Sequence, residues 1–237
     1  MSAHTGWIHT ARRVVPQFFK LSRLTGATWR VETVAEIDPD ELAERGIGAV
    51  LWDVDGTLMA HHARDLDPLV RDRFDDLTSD ARFRHAIVSN CQLPRLRELG
   101  EMFPRMPVVL GFTTPDGPAF RAMEGGEEVQ FGPGAGRLPP PGSNDVGEGV
   151  IPMRKPAGEL IDAALERIGL AGQIDRAVMV GDQYFTDVVS ANLAGARSIK
   201  VRTIDPPSFP AAIRLSQKFE TAWVGLMRAL GLTGRSG

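Results

Sequence analysis

Cysteine is almost absent. Cys91 is the only one in 237 residues, so no disulfide can form within the chain. A fold without a covalent staple must hold itself together by burial, and a single thiol fits a reducing, cytoplasmic setting. Long apolar runs are missing too. None approaches the roughly 20 residues that a membrane span requires. The apolar stretch after Arg12 and Arg13 is broken by Pro16, Gln17 and Lys20, which reads against a cleaved secretory leader. An excess of positive charge is also lacking: 27 Lys and Arg stand against 30 Asp and Glu, a formal net charge of -3. Dedicated nucleic-acid binders are strongly basic as a rule, so no nucleic-acid partner is expected. No internal repeat is present.

What remains is ordinary for a soluble globular chain: 43% hydrophobic and 24% charged residues. The length suits one domain with appendages, and chains of this size bury roughly 70% of their unfolded surface. Charge is unevenly spread. Residues 1–31 carry five basic side chains (Arg12, Arg13, Lys20, Arg23, Arg30) and no acid. Residues 206–237 carry Arg214, Lys218, Arg228 and Arg235 against Glu220 alone. The ends are therefore +5 and +3, which leaves -11 for the middle, where the chemistry is expected. The organisation read from this is a basic segment at 1–31, a domain over 32–205, and an amphipathic helix and tail over 206–237.

Three apolar runs, Ile47–Trp52, Ala86–Val88 and Ala177–Val180, predict buried parallel strands ending at Asp53, Ser89 and Gly181. Val108–Leu110 and Ser198–Val201 are further candidates. Leu66, Val70, Phe74 and Leu77 share one helical face, and Leu160, Ile161, Ala164, Leu165 and Ile168 share another, stopped by Gly169. A third helix is expected from about Asp187 to Gly195. Strands alternating with helices predict an α/β fold with a doubly wound parallel sheet and helices on both faces. Residues 111–150 differ: ten glycines and six prolines in forty positions predict a long mobile loop, with one weak hairpin around Glu127–Phe131.

The strongest chemical signal is Asp53-Val54-Asp55-Gly56-Thr57-Leu58, directly after an apolar strand. Open α/β sheets bind ligands at the carboxyl ends of their strands. Residues i and i+2 of an extended segment point the same way, so Asp53 and Asp55 can converge on one ligand, and Gly56 lets the chain turn sharply. An acidic turn would read the same in isolation. An EF-hand loop is excluded, because its twelfth position would be Arg64 where a glutamate is required. Ser89-Asn90 offers a hydroxyl, an amide and backbone N–H groups, a neutral cradle for phosphate oxygens that is also a common turn pair. Lys155, just before a helix, can neutralise phosphate or sit on the surface. Gly181-Asp182-Gln183-Tyr184-Phe185-Thr186-Asp187 adds two carboxylates at another strand end, donors suited to Mg2+. Asp187 would equally favour a helix N-terminus. Each fragment is modest alone, but the ordered set is specific.

This set resembles the four motifs of the haloacid dehalogenase (HAD) superfamily: Asp53–Leu58, Ser89, Lys155 and Gly181–Asp187. Gly181-Asp182-Gln183, Thr186-Asp187-Val188, Asn192 and Gly195 look like the YqeG-type members of its capless IIIA branch, which includes phosphatidylglycerophosphate phosphatases. The likeness runs from about Pro16-Gln17-Phe18 to Val201, with Gly56 where some relatives carry asparagine. It implies a Rossmann-like sheet without a folded cap and a magnesium-dependent phosphomonoester hydrolase. Asp53 would be the nucleophile, Asp55 the general acid and base, and Lys155 the counter-charge. Thr57, Ser89, Asn90 and Lys155 would contact substrate. Mg2+ would be held by Asp53, the backbone carbonyl of Asp55 and Asp182, with Asp187 in support.

Between Met59 and Arg84 there is room for little more than one helix, so no lid is expected, and an open site suits a phosphate presented by something large. The basic ends mix cations with apolar residues: Phe18, Phe19 and Leu21 at one end, and Phe209, Ile213, Phe219, Trp223, Leu226 and Leu230 at the other. Peripheral contact with an anionic membrane is one expectation for them; packing of the tail helix on its own sheet is the other. A phosphatase for soluble metabolites or phosphoproteins, and a non-catalytic phosphate-binding scaffold, stand as alternatives. His61 and His62 read as surface loop residues.

Overall fold

The structure is a computed structural model that describes residues 22–233. Arg12, Arg13, Pro16, Gln17, Phe18, Phe19, Lys20 and Leu21, and the tail from residue 234, lie outside the described residues.

The strands are β1 (Trp29–Arg30), β2 (Ala49–Trp52), β3 (Arg84–Val88), β4 (Val108–Thr114) and β5 (Gly117–Glu124), then β6 (Glu127–Phe131), β7 (Ile151–Met153), β8 (Ala177–Gly181) and β9 (Arg197–Lys200). Six α-helices accompany them among the described residues. They are α1 (Pro39–Glu44), α2 (Pro68–Ser79), α3 (Leu93–Met102), α4 (Gly158–Arg167), α5 (Val189–Ala194) and α6 (Ala211–Ala229). All nine strands form one sheet in the order β1-β9-β8-β2-β3-β4-β5-β6, with β7 paired to the other side of β4. From β1 through β4 every pairing is parallel. This is the expected α/β architecture, a mainly parallel Rossmann-like sheet flanked by helices.

Side chains alternate across the sheet and divide the core in two. Val50, Trp52, Ile87, Val178 and Val180 face a layer that includes Val70, Phe74 and Leu77 of α2 and Leu96 and Leu99 of α3. Ala49, Leu51, Ala86, Val88 and Met179 face Leu160, Ile161, Ala164 and Leu165 of α4. Burial on both faces is why these strands read as unbroken apolar runs. The helix expected around Val70, Phe74 and Leu77 starts where Asp67 accepts a hydrogen bond from the Leu69 N–H at 2.8 Å, with Pro68 in the first turn. Strand β2 lies between β8 and β3, where the direction of winding reverses, so its carboxyl end opens onto a natural ligand crevice.

The expectation of a mobile loop over residues 111–150 is corrected by the structure. Strand β4 continues to Thr114, and β5 and β6 extend the sheet in antiparallel fashion. Gly125 and Gly126 form the two-residue turn between them, with φ of 57° and 89°, the left-handed geometry that a tight hairpin needs. Ten of the sixteen prolines and glycines that suggested a loop lie after Phe131. That stretch is fastened by a buried cation. Arg121, fully buried, donates to Glu128 at 2.8 Å, to the Pro139 carbonyl at 2.8 Å and to the Ser143 carbonyl at 3.1 Å. Arg97 adds donors to Glu128, Asn144 and the Ser143 carbonyl. These bonds join residues distant in sequence, so hydrophobic periodicity carries no trace of them. The hairpin widens the sheet rather than building a lid.

Removing one partner of a buried ion pair strands the other. Arg121→Met should therefore lower unfolding free energy by about 3 kcal/mol, read from the shift of a urea denaturation curve. A loss below 0.5 kcal/mol would show that the 139–144 segment holds itself in place.

Candidate active site

The chain leaves β2 at Trp52 and turns at once. Met59 O accepts the Gly56 N–H at 2.7 Å, and Val54 O accepts the N–H groups of Thr57 and Leu58 at 3.1 and 2.9 Å. Gly56 has φ of 89°, and a Cβ there would stand 2.8 Å from Asp182 Oδ2. Both the backbone conformation and the space demand glycine. The turn leaves Asp53 buried at the strand end, with the Thr57 hydroxyl donating to its Oδ2 at 3.2 Å.

Lys155 arrives from the other direction. β7 runs antiparallel to β4, with Met153 opposite Gly111, and delivers Lys155 beside the end of β3. There Asn90 clamps its backbone: Lys155 N donates to Asn90 Oδ1 at 2.7 Å, and Asn90 Nδ2 donates to Lys155 O at 3.2 Å. The amide of Asn90, expected to face substrate, is thus engaged in holding the lysine. Lys155 Nζ donates to Asp53 Oδ1 and Asp187 Oδ1, each at 2.6 Å, and is almost wholly buried. Asp182 follows β8 directly. Asp187 sits on the wide π-helical turn Tyr184–Val188, its Oδ2 accepting the Gln183 N–H at 3.0 Å. Such turns recur at functional sites because they re-aim one side chain. A Cβ on Gly181 would lie 2.3 Å from Asp187, so close approach again requires glycine.

The resulting electrostatics are unbalanced. Asp53, Asp182 and Asp187 each place a carboxylate oxygen within 4.8 Å of the others, against the one ammonium of Lys155 between Asp53 and Asp187. Burial pushes the Asp53 carboxyl up to about 7, with Asp187 adding to the rise and Lys155 opposing it. Burial, then the neighbouring Asp53 and Asp187, hold Asp182 well above the usual carboxylate range. For Lys155 burial works against the charge, but Asp187 and Asp53 outweigh it, and its pKa rises. Asp182 Oδ1 is buried and has no hydrogen-bond partner among the described residues. Two donors converge on its other oxygen, the Thr203 hydroxyl at 2.7 Å and Gln217 Nε2 at 3.4 Å. Three buried carboxylates, surplus negative charge and one orphaned oxygen make a donor set that could hold a hard metal ion.

Asp55 stands apart from this trio. Its Oδ1 accepts the His62 N–H at 3.0 Å and pairs with Arg95 at 3.3 Å, while His61 Nδ1 lies 3.7 Å from its Oδ2. The loop read as bare surface is therefore part of the site, with His61 stacked on Phe209. Ser89 is buried at the end of β3, beside Asn90. Sequence reasoning missed Arg95, Thr203 and Gln217. The apolar spacing of 93–103 could have shown a helix there, but nothing local marks Arg95 as a partner of Asp55.

The tail helix α6 closes one side of this site. Glu220 Oε1 accepts the Phe185 N–H at 2.6 Å, and burial raises its pKa to about 7. Val224 and Met227 are buried beside it, rather than the expected face through Phe219, Leu226 and Leu230.

A family model described as HAD-hydrolase-like matches residues 152–203. The match carries Lys155, Asp182 and Asp187. It supports the haloacid dehalogenase superfamily. The crystal structure of an uncharacterized protein from Listeria monocytogenes serotype 4b is similar at 16% identity and a TM-score of 0.39, covering 74% of this chain and 99% of its own. No curated protein matches. Asp53 and Asp55 lie before the matched stretch, and α6 lies after it.

If the orphaned oxygen faces a cation, Asp182→Asn should weaken divalent-ion binding by at least about tenfold, a cost near 1.4 kcal/mol. Calorimetric titration of MgCl2 into the wild-type and variant chains reads this directly. Equal affinities would remove the cluster as a metal site.

Proposed function

We propose that this chain is a magnesium-dependent phosphomonoester hydrolase of the capless HAD branch, working through an aspartyl-phosphate on Asp53. The observation that carries the reading is the buried Lys155 ammonium set between Asp53 and Asp187, beside the open oxygen of Asp182. Phosphate monoesters hydrolyse very slowly unaided, and covalent catalysis divides the barrier into two displacements. A carboxylate oxygen of Asp53 attacks phosphorus while the bond from phosphorus to the alcohol oxygen breaks. Asp55, as the acid, gives its proton to the departing alkoxide. Asp55 then takes a proton from water, the water oxygen attacks phosphorus, and the bond to Asp53 breaks to release inorganic phosphate. Arg95, the His62 N–H and the nearby His61 hold the Asp55 carboxyl in place for both transfers.

An anionic nucleophile is repelled by a phosphate dianion, at roughly 4 kcal/mol per charge pair at 4 Å and an effective dielectric near 20. Lys155 offsets part of this, Ser89 supplies a hydroxyl for a phosphate oxygen, and Thr57 steadies the nucleophile through its hydroxyl bond to Asp53. Mg2+, held by Asp53 and Asp182 with Asp187 in support, would supply the remaining positive charge.

For the substrate, the resemblance favours phosphatidylglycerophosphate or another phosphate presented by a large or membrane-bound molecule. One observation supports the membrane reading. Leu215, Phe219 and Leu226 of α6 and Leu230 at its C-terminal cap recur at helical spacing and are 55–70% exposed, with Arg214 and Lys218 exposed on the same helix. An exposed apolar stripe flanked by cations suits the surface of an anionic bilayer. Among the described residues no helix is long and apolar enough to cross one.

Phosphate release from lipid and soluble monoesters tests the chemistry. Chelator should abolish turnover, and Asp53→Asn should lower kcat by at least about a thousandfold. A variant that kept a tenth of the activity would sink the covalent mechanism. The membrane reading has its own test, since α6 also braces the site and cannot simply be deleted. Leu215→Glu with Phe219→Glu should abolish flotation with phosphatidylglycerol vesicles while leaving the thermal midpoint intact. Unchanged flotation would dismiss it.

A further inference from the structure

A cleft of about 420 Å³ opens beside the catalytic cluster. It adjoins the site: Ser89 and Asn90 line it, and Asn90 holds the Lys155 backbone. Its apolar wall comes from Leu93, Leu110, Phe112, Val146 and Pro152. Arg154, next in sequence to Lys155, lines it as the only charged side chain, and no carboxylate does so. In a chain with net charge -3 that is a local reversal of sign. Arg154 is exposed and has no ion-pair partner among the described residues, so its charge is available to a ligand.

The outer wall is built rather than incidental. Asn144 and Val146 belong to the segment that Arg97 and Arg121 tie down through Asn144 Oδ1 and the Ser143 carbonyl. A buried arginine, paired to Glu128, is committed to keeping that wall in place. Pockets of this size and mixed lining take small organic ligands, with the few polar groups setting orientation.

We propose that this cleft receives the alcohol portion of the phosphomonoester, and that it selects alcohols bearing an apolar body and a second anionic group, which pairs with Arg154. The proposal rests on the phosphohydrolase reading for the reaction but not for the binding. Guanidinium forks recognise carboxylates and phosphates in bidentate fashion, so the second anion can be either.

The probes are phenyl phosphate and 4-carboxyphenyl phosphate, which differ by one carboxylate, assayed with the full chain and Mg2+. Wild-type kcat/KM should favour the carboxylated ester at least tenfold, mostly through KM. Arg154→Gln should bring that ratio to about one, and Val146→Trp, which fills the cleft, should raise KM for the carboxylated ester at least tenfold. A ratio untouched by Arg154→Gln, or a KM untouched by Val146→Trp, overturns the proposal. Calorimetry with 4-carboxyphenylphosphonate separates the two readings. Binding that depends on Arg154, without phosphate release from either ester, keeps the cleft and sinks the hydrolase; binding that ignores Arg154 sinks the cleft. Tethering the carboxylated ester to phosphatidylcholine vesicles by an alkyl chain distinguishes a lipid headgroup from a soluble source, and dependence on Arg154 is required in both.

Discussion

A single buried ammonium, shared between Asp53 and Asp187, is the contact on which the site depends. Lys155 has almost no access to water, and a charge so placed persists only with partners close by. It draws together the end of β2, the turn after β8 and its own connection after β7, with Asp53 and Asp187 lying 102 and 32 residues away in sequence. The pairing does not neutralise the cluster. Asp182 keeps the surplus, which its raised pKa and its orphaned oxygen both register. Taking three carboxylates out of water costs folding free energy, and the same crowding makes a donor set that could hold a cation.

Around that centre the protein adds supports from outside the sheet ends. Thr203 and Gln217 fix one oxygen of Asp182, so that the other is the one left open. Glu220 takes the Phe185 N–H and so ties α6 to the turn that carries Asp187. The tail helix is therefore bound to the site through one face, while its opposite face stays apolar and exposed. On the other side, the antiparallel extension and its Arg121–Glu128 pair shape the wall of the cleft. The parallel sheet supplies the clustered aspartates at its strand ends, and these two additions bound the space around them.

Much of this was legible in the chain. The runs ending at Trp52, Val88 and Val180 read as strands because burial on both faces leaves no polar position to interrupt them. Gly56 and Gly181 mark places where a Cβ would strike a carboxylate. Residues 117–131 were harder. The Gly125-Gly126 turn is a local hairpin signal, but the proline-rich stretch after it hid the order imposed by Arg121. His61 and His62 read as surface because their stacking and backbone contacts lie with Phe209 and Asp55, outside any periodic pattern.

The sequence by itself determined the α/β class, the strand ends and the residue types offered there, since hydrophobic period and glycine placement are local properties of the chain. Tertiary structure alone decided that Lys155 sits between two aspartates, that Arg95 pairs with Asp55, and that one oxygen of Asp182 is left open. Those are distances between remote segments, set by how two packed layers and a tail helix close around one crevice, and no local pattern encodes a distance.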